Sequence, residues 1–399
     1  MKFPLLLTET REQKLMSWAS VGLLIFVSAF LWAPSRDGLQ GVYVLAFFLP
    51  MAIILLFRKP NFNEYGGWPT VIALVYAGFS TLSSLWGEPK DFGFFVLQWC
   101  VLATWLCGSC LVFSKREIDV EKYLRWFVVL GVLITISTFI YNFLYVDSNF
   151  PLKTRIIGWN VFRNPNEIGA FCGIIALLAF TIAVQSLSLK QTWLFYTLAL
   201  IATAGLLASL SRAAFIAFVI MSGVTLLTVR PPLKIWLPPV LIAIVTLFML
   251  LSTTNILTSF TGGRGDLLGP RFEIWKEVFD RWYKHIFIGI GMSKDTNIIT
   301  FDATTHSHAH NAWLDTLYRT GLIGFILLLT HLIKIIQNFS SDPRTLPLYL
   351  WLGYGCICHL VDGRCFFWEV GAKWFLYWIP IGLIVAIHTK IVVAHKSEI

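Results

Sequence analysis

Residues 306–336 read HSHAHNAWLDTLYRTGLIGFILLLTHLIKII, passing from three alternate histidines into a long apolar run. Asn311 is a favoured helix N-cap, and Asp315 and Arg319 stand four apart as a supportive ion pair on the helix that follows. About 20 apolar residues cross a bilayer as a helix, because lipid offers the backbone no hydrogen bonds. The run 312–336 therefore reads as a membrane span whose polar end carries His306, His308 and His310.

The same pattern recurs along the chain. Of 399 residues, 57% are hydrophobic and 13% charged, against about 25% charged in a soluble domain. Mean hydropathy is +0.71. Seventeen Trp and thirty-three Phe suit lipid-facing and interfacial positions. About twelve spans are expected, near 17–34, 39–57, 68–86, 92–114, 123–146, 166–187, 192–210, 213–229, 235–255, 312–336, 346–361 and 371–394. The expected fold class is an all-α polytopic membrane protein, one integral domain over 1–399. No internal repeat or separate soluble domain is expected, nor a cleaved signal peptide.

Basic residues set the expected orientation. With the N-terminus inside, the inner connections carry Arg58–Lys59, Lys115–Arg116, Lys122, Arg125, Lys190, Arg230, Lys234, Lys334, Arg344, Lys390 and Lys396. This satisfies the positive-inside rule and puts both termini in the cytoplasm. The net charge of +9 reflects these anchors, so no nucleic-acid partner is implied. Two outer segments break the rule: 147–165, with Lys153, Arg155 and Arg163, and the long segment 256–311, with Arg264, Arg271, Lys276, Arg281, Lys284 and Lys294. Arg212 sits at a tight outer turn in SLSRAAF. An anionic ligand would explain such cations, and an arginine between two apolar spans is a functional candidate. Mixed charge on a long loop is the plain alternative.

Within the long segment, GGRGDLLGP at 262–270 is flexible, and Pro270 suits the first turn of the helix RFEIWKEVFDRWYKH. Phe272, Trp275, Val278, Phe279 and Trp282 form its expected apolar face. Such a helix either lies in the membrane interface or packs over the bundle. The seven cysteines give no disulfide framework, since six lie within expected spans, and CICH at 356–359 does not converge on a metal.

The histidines admit three readings. His306, His308 and His310 on one side of an extended segment, with Asp302, would suit a metal. They could be a polar loop without chemistry. Or His310, at a helix N-terminus where the dipole favours neutral imidazole, is a base beside an anion drawn to the same helix end.

HNAWLDTLYRTGLIG resembles the signature of the O-antigen ligase and polymerase family of bacterial membrane glycosyltransferases: His310, Asn311, nine residues, Gly321, two residues, Gly324. SLSRAA at 209–214 resembles that family's Ser-Arg turn. PRFEIW resembles its Arg-x-x-x-Trp element, here Arg271 and Trp275. GIG at 289–291 and RNPNEIGAF at 163–171 resemble two further elements. The resemblance covers roughly 150–340. It implies a GT-C-like architecture in the inner membrane, with a periplasmic active site. The implied donor is a glycan on undecaprenyl pyrophosphate, and the implied partners also include membrane lipids. The acceptor is a sugar hydroxyl of lipid A-core in the ligase branch, another lipid-linked unit in the polymerase branch, and a Ser or Thr hydroxyl in the protein-glycosylating branch.

On that resemblance His310 is the expected catalytic base. Arg212 and Arg271 are expected to hold the pyrophosphate, with Arg155 and Arg163 in support, because guanidinium forks bind such oxygens bidentately. His308, Asn311 and Arg319 are secondary candidates, and Asn166, Glu167 and Arg364 are possible cleft residues. No outer carboxylate pair stands out, so direct, inverting displacement is expected. The first outer loop, PSRDGL, offers Asp37 alone, so no metal or other cofactor is expected. A transporter is the rival outside enzymology, but charges are few at mid-span.

Overall fold

The computed structural model describes residues 9–58, 61–147, 154–233, 235–236, 271–294, 296–299, 305–339 and 342–397. The helices are α1 (Glu9–Trp32), α2 (Arg36–Phe57), α3 (Gly67–Ser83), α4 (Phe92–Lys115), α5 (Val120–Val146), α6 (Pro165–Gln185), α7 (Leu189–Ala208), α8 (Arg212–Val229), α9 (Arg271–Trp282), α10 (Ala312–Ile336), α11 (Leu346–Cys358), α12 (Ala372–Leu376) and α13 (Trp378–Ser397). Two short strands, β1 (Ile298–Ile299) and β2 (Thr305–His306), pair antiparallel.

Eight of these helices are long and apolar enough to cross a membrane: α1, α2, α4, α5, α6, α7, α8 and α10. The all-α polytopic class is thus seen, while the expected count of about twelve is not reached among the described residues. The expected span 235–255 lies outside them after Trp236. The expected spans 346–361 and 371–394 are shortened for a physical reason. The polar stretch HLVDGR ends α11 at Cys358, and a break at Tyr377 sets α12 apart from α13.

The most enclosed of the spanning helices is α6. α6 is apolar on all faces, and 94% of its best spanning window is buried, between α5, α7, α8 and α11. Beside it Phe375 of α12 meets Phe30, Phe127, Phe162, Phe171 and Trp351. Several tryptophans are not lipid-facing at all. Trp105, Trp351, Trp374 and Trp378 are fully buried, and their indole N–H groups donate to Trp378 O, Phe375 O, Trp368 O and Phe366 O. They satisfy carbonyls of the irregular 359–378 stretch, which could not otherwise be buried cheaply.

α10 kinks at Gly321, whose φ is +63°. The 286–291 segment crosses there, with Ile290 N–H on Tyr318 O (3.0 Å), Gly291 N–H on Arg319 O (2.9 Å) and Leu322 N–H on Ile286 O (2.8 Å). A Cβ at Gly321 would lie 2.3 Å from the Phe287 backbone, and one at Gly289 would lie 2.4 Å from the Arg319 backbone. Glycine at both positions is what lets two backbones touch.

α9 uses part of the apolar face expected of it: Val278, Trp275 and Trp282 turn inward. Ile274 and Val278 are buried against Ile298, Ala309 and Tyr318, while Phe272 and Phe279 remain exposed. The helix is clamped in that rotation by Trp275 Nε1, which donates to Ala309 O at 3.0 Å, and by Arg281 on Glu277 and Thr296 O.

Under the histidine loop lies the fully buried pair Asp315–Arg319 (2.9 Å). Asp315 also accepts from Ala309 N–H (3.1 Å) and Cys365 N–H (2.9 Å), and Arg319 donates to Met292 O (2.7 Å) and Lys294 O (3.2 Å). Removing one partner strands a buried charge at a cost of about 3–5 kcal/mol. Asp315→Ala is expected to lower the melting temperature in detergent by several degrees or to abolish folding, and a parental melting curve would refute this role.

Candidate functional site

The N-termini of α2, α6, α8 and α10 converge at one end of the bundle, joined there by the 154–164 and 359–371 segments. The joints are explicit. Val161 N–H donates to Ala33 O (3.0 Å), Ile156 N–H to Ala208 O (3.1 Å) and Ala312 N–H to His359 O (2.9 Å). The opposite end gathers α1, the 61–66 turn and the end of α4. There Arg58 pairs with Glu12 and Glu64, and Lys115 with Glu64. A cavity of about 1520 Å³ opens among these residues, lined by three carboxylates, Glu9, Glu12 and Glu64, and four cations, Lys14, Arg58, Lys115 and Arg116.

The convergent end is differently charged. Arg155 is exposed, and its guanidinium is pushed below the usual arginine range by partial loss of solvent and then by the charges of Arg212 and Arg271. Arg212 and Arg271, two further expected anion binders, are therefore both in electrostatic reach of Arg155. Arg212 heads α8 directly after a tight turn in which Leu210 has φ +50°. Its Nη1 is buried without a hydrogen-bond partner among the described residues. A buried, unmatched guanidinium N–H is costly unless a ligand anion meets it.

A chain of contacts ties these arginines to His310. Arg155 Nε donates to Ser209 O and Nη2 to Asn166 Oδ1, both at 2.8 Å. Asn166 Nδ2 donates to Asp362 Oδ2 at 3.0 Å, and Asp362 Oδ1 lies 3.6 Å from His310 Nδ1. Asn164 caps α6 by accepting from Asn166 N–H (2.8 Å), so the Asn-Pro-Asn element fixes the amide that joins the two halves. Burial works to raise the Asp362 carboxyl, but contacts from His310, Gly363 N–H and Asn166 hold it well below the usual carboxylate range.

His310 has φ +49°, in the left-handed region that a histidine visits at a cost. The strain is held by His308, whose Nδ1 accepts the His310 N–H at 3.1 Å, with the two ring centroids 4.1 Å apart. Burial, then the neighbouring His310, pushes the His308 imidazole down to about 3. His306 stands edge-on to His310 at 5.5 Å. Among the described residues no group of three or more His, Cys, Asp or Glu is placed to hold a metal, and Asp302 lies outside those residues.

The remaining expected residues separate. Asn311 accepts from Trp313 N–H (3.1 Å) and Leu314 N–H (3.0 Å), which makes it the N-cap of α10. Arg319 is buried and committed to Asp315, beneath the site rather than in it. Arg163 is exposed and turned to Pro34 O (3.1 Å). Arg364 donates to Ser307 O (3.4 Å) and stacks 4.0 Å over Trp368. Glu167 lies in reach of Asp362, Lys373 and Arg36.

Two residues escaped the sequence reading. Asp362 sits in VDGR between apolar runs, where an Asp-Gly pair marks a turn. Lys373 was counted into a span, although a lysine there is itself a warning sign. Burial lowers its ammonium to about 8.

The buried groups fix a pH dependence. An unfolded histidine takes up a proton near pH 6.5, whereas His308 in the fold does not until about 3. The unfolded state then binds more protons as pH falls, so stability is lost between about pH 6.5 and 3. Asp362, with its lowered carboxyl, adds to the loss in the acid part of that window. The melting temperature is expected to fall on acidification from pH 7 to 4.5, and less steeply in His308→Asn, which retains an acceptor. Equal slopes in the two proteins would remove His308 from this account.

Residues 197–329 match the family model described as O-Antigen ligase. An O-antigen ligase of Pseudomonas aeruginosa is 24% identical over 378 residues, covering 92% of this chain and 90% of that protein. No solved structure matches. The family match takes in Arg212, Arg271 and His310, and the longer alignment extends the likeness over nearly the whole chain. Together the two matches support the O-antigen ligase family for this chain, the family its motifs resemble.

Proposed function

We propose that the chain is a glycosyltransferase of lipopolysaccharide synthesis, an O-antigen ligase that moves a glycan from undecaprenyl pyrophosphate to a sugar hydroxyl of lipid A-core. The observation that carries this reading is the link from His310 through Asp362 and Asn166 to Arg155, with Arg212 Nη1 unmatched beside it. On this reading His310 is a base and the arginines are an anion clamp, at one end of a membrane bundle. The excess of basic residues at the other end supports a periplasmic orientation for the site.

The chemistry follows from these groups. Asp362 beside Nδ1 selects the tautomer that leaves His310 Nε2 with a free lone pair. Nε2 removes the acceptor hydroxyl proton as that oxygen bonds to the anomeric carbon of the donor. The bond from this carbon to the pyrophosphate oxygen breaks on the opposite face, so configuration inverts. The leaving pyrophosphate takes the bonding pair, and Arg155, Arg212 and Arg271 stabilise the charge that develops. No step needs a metal.

A reconstituted assay with lipid-linked glycan, lipid A-core and chelator tests this reading. Capped core is expected with the unmutated protein, and His310→Ala is expected to slow its formation by about 10²–10⁴-fold. Longer lipid-linked chains without capped core would reassign the chain to polymerisation. No product of either kind would favour a transporter, and activity restored to chelated protein by a divalent ion would overturn metal independence.

A further inference from the structure

α9 carries a second apolar face, turned away from the bundle. Ile274 and Val278 pack against Ile298, Ala309 and Tyr318, with Trp275 and Trp282 beside them. On the opposite side Phe272, Lys276, Phe279 and Tyr283 fall at helical spacing. All four are exposed, and the three aromatics are so by 65%, 52% and 72%. Charged residues, among them Glu277, Asp280 and Lys284, separate the two faces along one edge. The exposed apolar surface continues past the helix into Phe287 and Ile288. A contiguous surface of this kind marks contact with another apolar body rather than with water.

α10 identifies that body. Phe287 O accepts from Ile323 N–H at 3.1 Å, just past the kink at Gly321. From there α10 turns Ile323, Ile326, Ile333 and Ile336 outward, the stripe by which a spanning helix meets lipid. Residues 312–320, before the kink, include no exposed side chain, because α9 and the 359–371 segment cover them. The far face of α9 thus stands where lipid would otherwise meet α10. Depth agrees with this placement. From Gly321 to Ile336 the helix rises only about 24 Å, short of the ~30 Å of a hydrocarbon core. The bilayer boundary at the His310 end therefore lies above the kink, level with Phe287 and the aromatic face of α9.

We infer that α9 is seated in the membrane interface at the His310 end, with Phe272, Phe279 and Tyr283 against lipid and Ile274 and Val278 against the bundle. The two alternatives that its sequence offers, interface and bundle, are met by two faces. Aromatic rings suit this depth, and Lys276 and Lys284 extend their ammonium groups among headgroup phosphates while their stems stay on apolar surface. The seat is tied to the candidate site through one bond, from Trp275 Nε1 to the carbonyl of Ala309, the residue before His310. Lipid thereby steadies the histidine loop at headgroup level. The inference does not depend on the ligase reading.

Photo-cross-linking of the full-length protein in nanodiscs of phosphatidylethanolamine and phosphatidylglycerol tests it. A benzophenone amino acid replaces Phe279 in one sample and Ile326, on the lipid-facing stripe of α10, in another. The irradiated chain is weighed for phospholipid adducts and sized for cross-linked chains. The probe at 279 is expected to give phospholipid adducts within about threefold of the yield at 326. A cross-linked dimer in place of the adduct would give the face to a second copy of the chain. An unmodified chain at 279 beside a lipid adduct at 326 would leave the face in water. Either result overturns the inference. Phe279 is exposed, so the probe is expected to keep the parental melting temperature, which separates a missing adduct from misfolding. A second measurement reads the tie to the loop. Phe272→Glu/Phe279→Glu is expected to speed deuterium uptake by the 305–310 amides in nanodiscs several-fold, and parental uptake would refute that tie. Neither readout needs turnover, so failure of the transfer assay would leave the membrane seat standing.

Discussion

The Asp315–Arg319 ion pair is the joint on which the site depends. Neither side chain reaches solvent, and between them they bind the backbone at 292, 294, 309 and 365. Those positions come from segments that precede, open and follow α10. An isolated buried pair of this kind often adds little net stability over an apolar substitute. Here its value is geometric, because the extra lone pairs and N–H groups are spent on loops that have no regular structure of their own. The first turns of α10 are in this sense a spine for the histidine loop and for the 359–371 segment together. The kink at Gly321 comes directly after that spine and gives room for the 286–291 segment to cross.

Charge is divided unequally between the two ends of the bundle. At the end of α1 and α4, Arg58 and Lys115 find Glu12 and Glu64. At the end that holds His310, Arg212 and Arg271 repel Arg155, and Arg212 Nη1 is buried with no hydrogen-bond partner among the described residues. Arg58 and Lys115 thus meet carboxylates directly, whereas Arg155 and Arg212 make no ion pair among the described residues. The likeness to an O-antigen ligase gives that asymmetry a use, because the proposed donor arrives with a pyrophosphate and leaves it behind.

Much of this was legible in the sequence, and what was not has physical causes. Apolar runs of span length mark α1, α2 and α4 to α8, because lipid enforces helix wherever such a run occurs. The resemblance singled out His310, Arg212 and Arg271 with Arg155 in support, and Arg155 lies in electrostatic reach of Arg212 and Arg271. Asn311 announces its cap through local chemistry alone. The errors are tertiary. Arg319 looks like Arg212 in sequence, yet one is sealed by a carboxylate four residues away and the other is not. Hydropathy counts Lys373 into a span because it averages over its apolar neighbours, and the break at Tyr377 shows only in the backbone. Asp362 is 52 residues from His310, and no local pattern joins them. Phe272 and Phe279 stay exposed while Trp275, Val278 and Trp282 of the same stripe turn inward, because neighbours cover only part of a helical face.

The contacts of Asp362 also bear on where a proton goes. Its second oxygen is held by an amide N–H of Asn166, which is held in turn by a guanidinium. Neither group passes a proton onward at neutral pH, so this chain orients and polarises but does not conduct. In the proposed reaction, a proton taken up at His310 Nε2 meets no wire through the interior along this chain of described residues. It must depart from the face by which the acceptor came, to the displaced pyrophosphate or to water. Resetting the base is thereby coupled to opening of the substrate side, and the membrane potential across the bundle does no work on that proton.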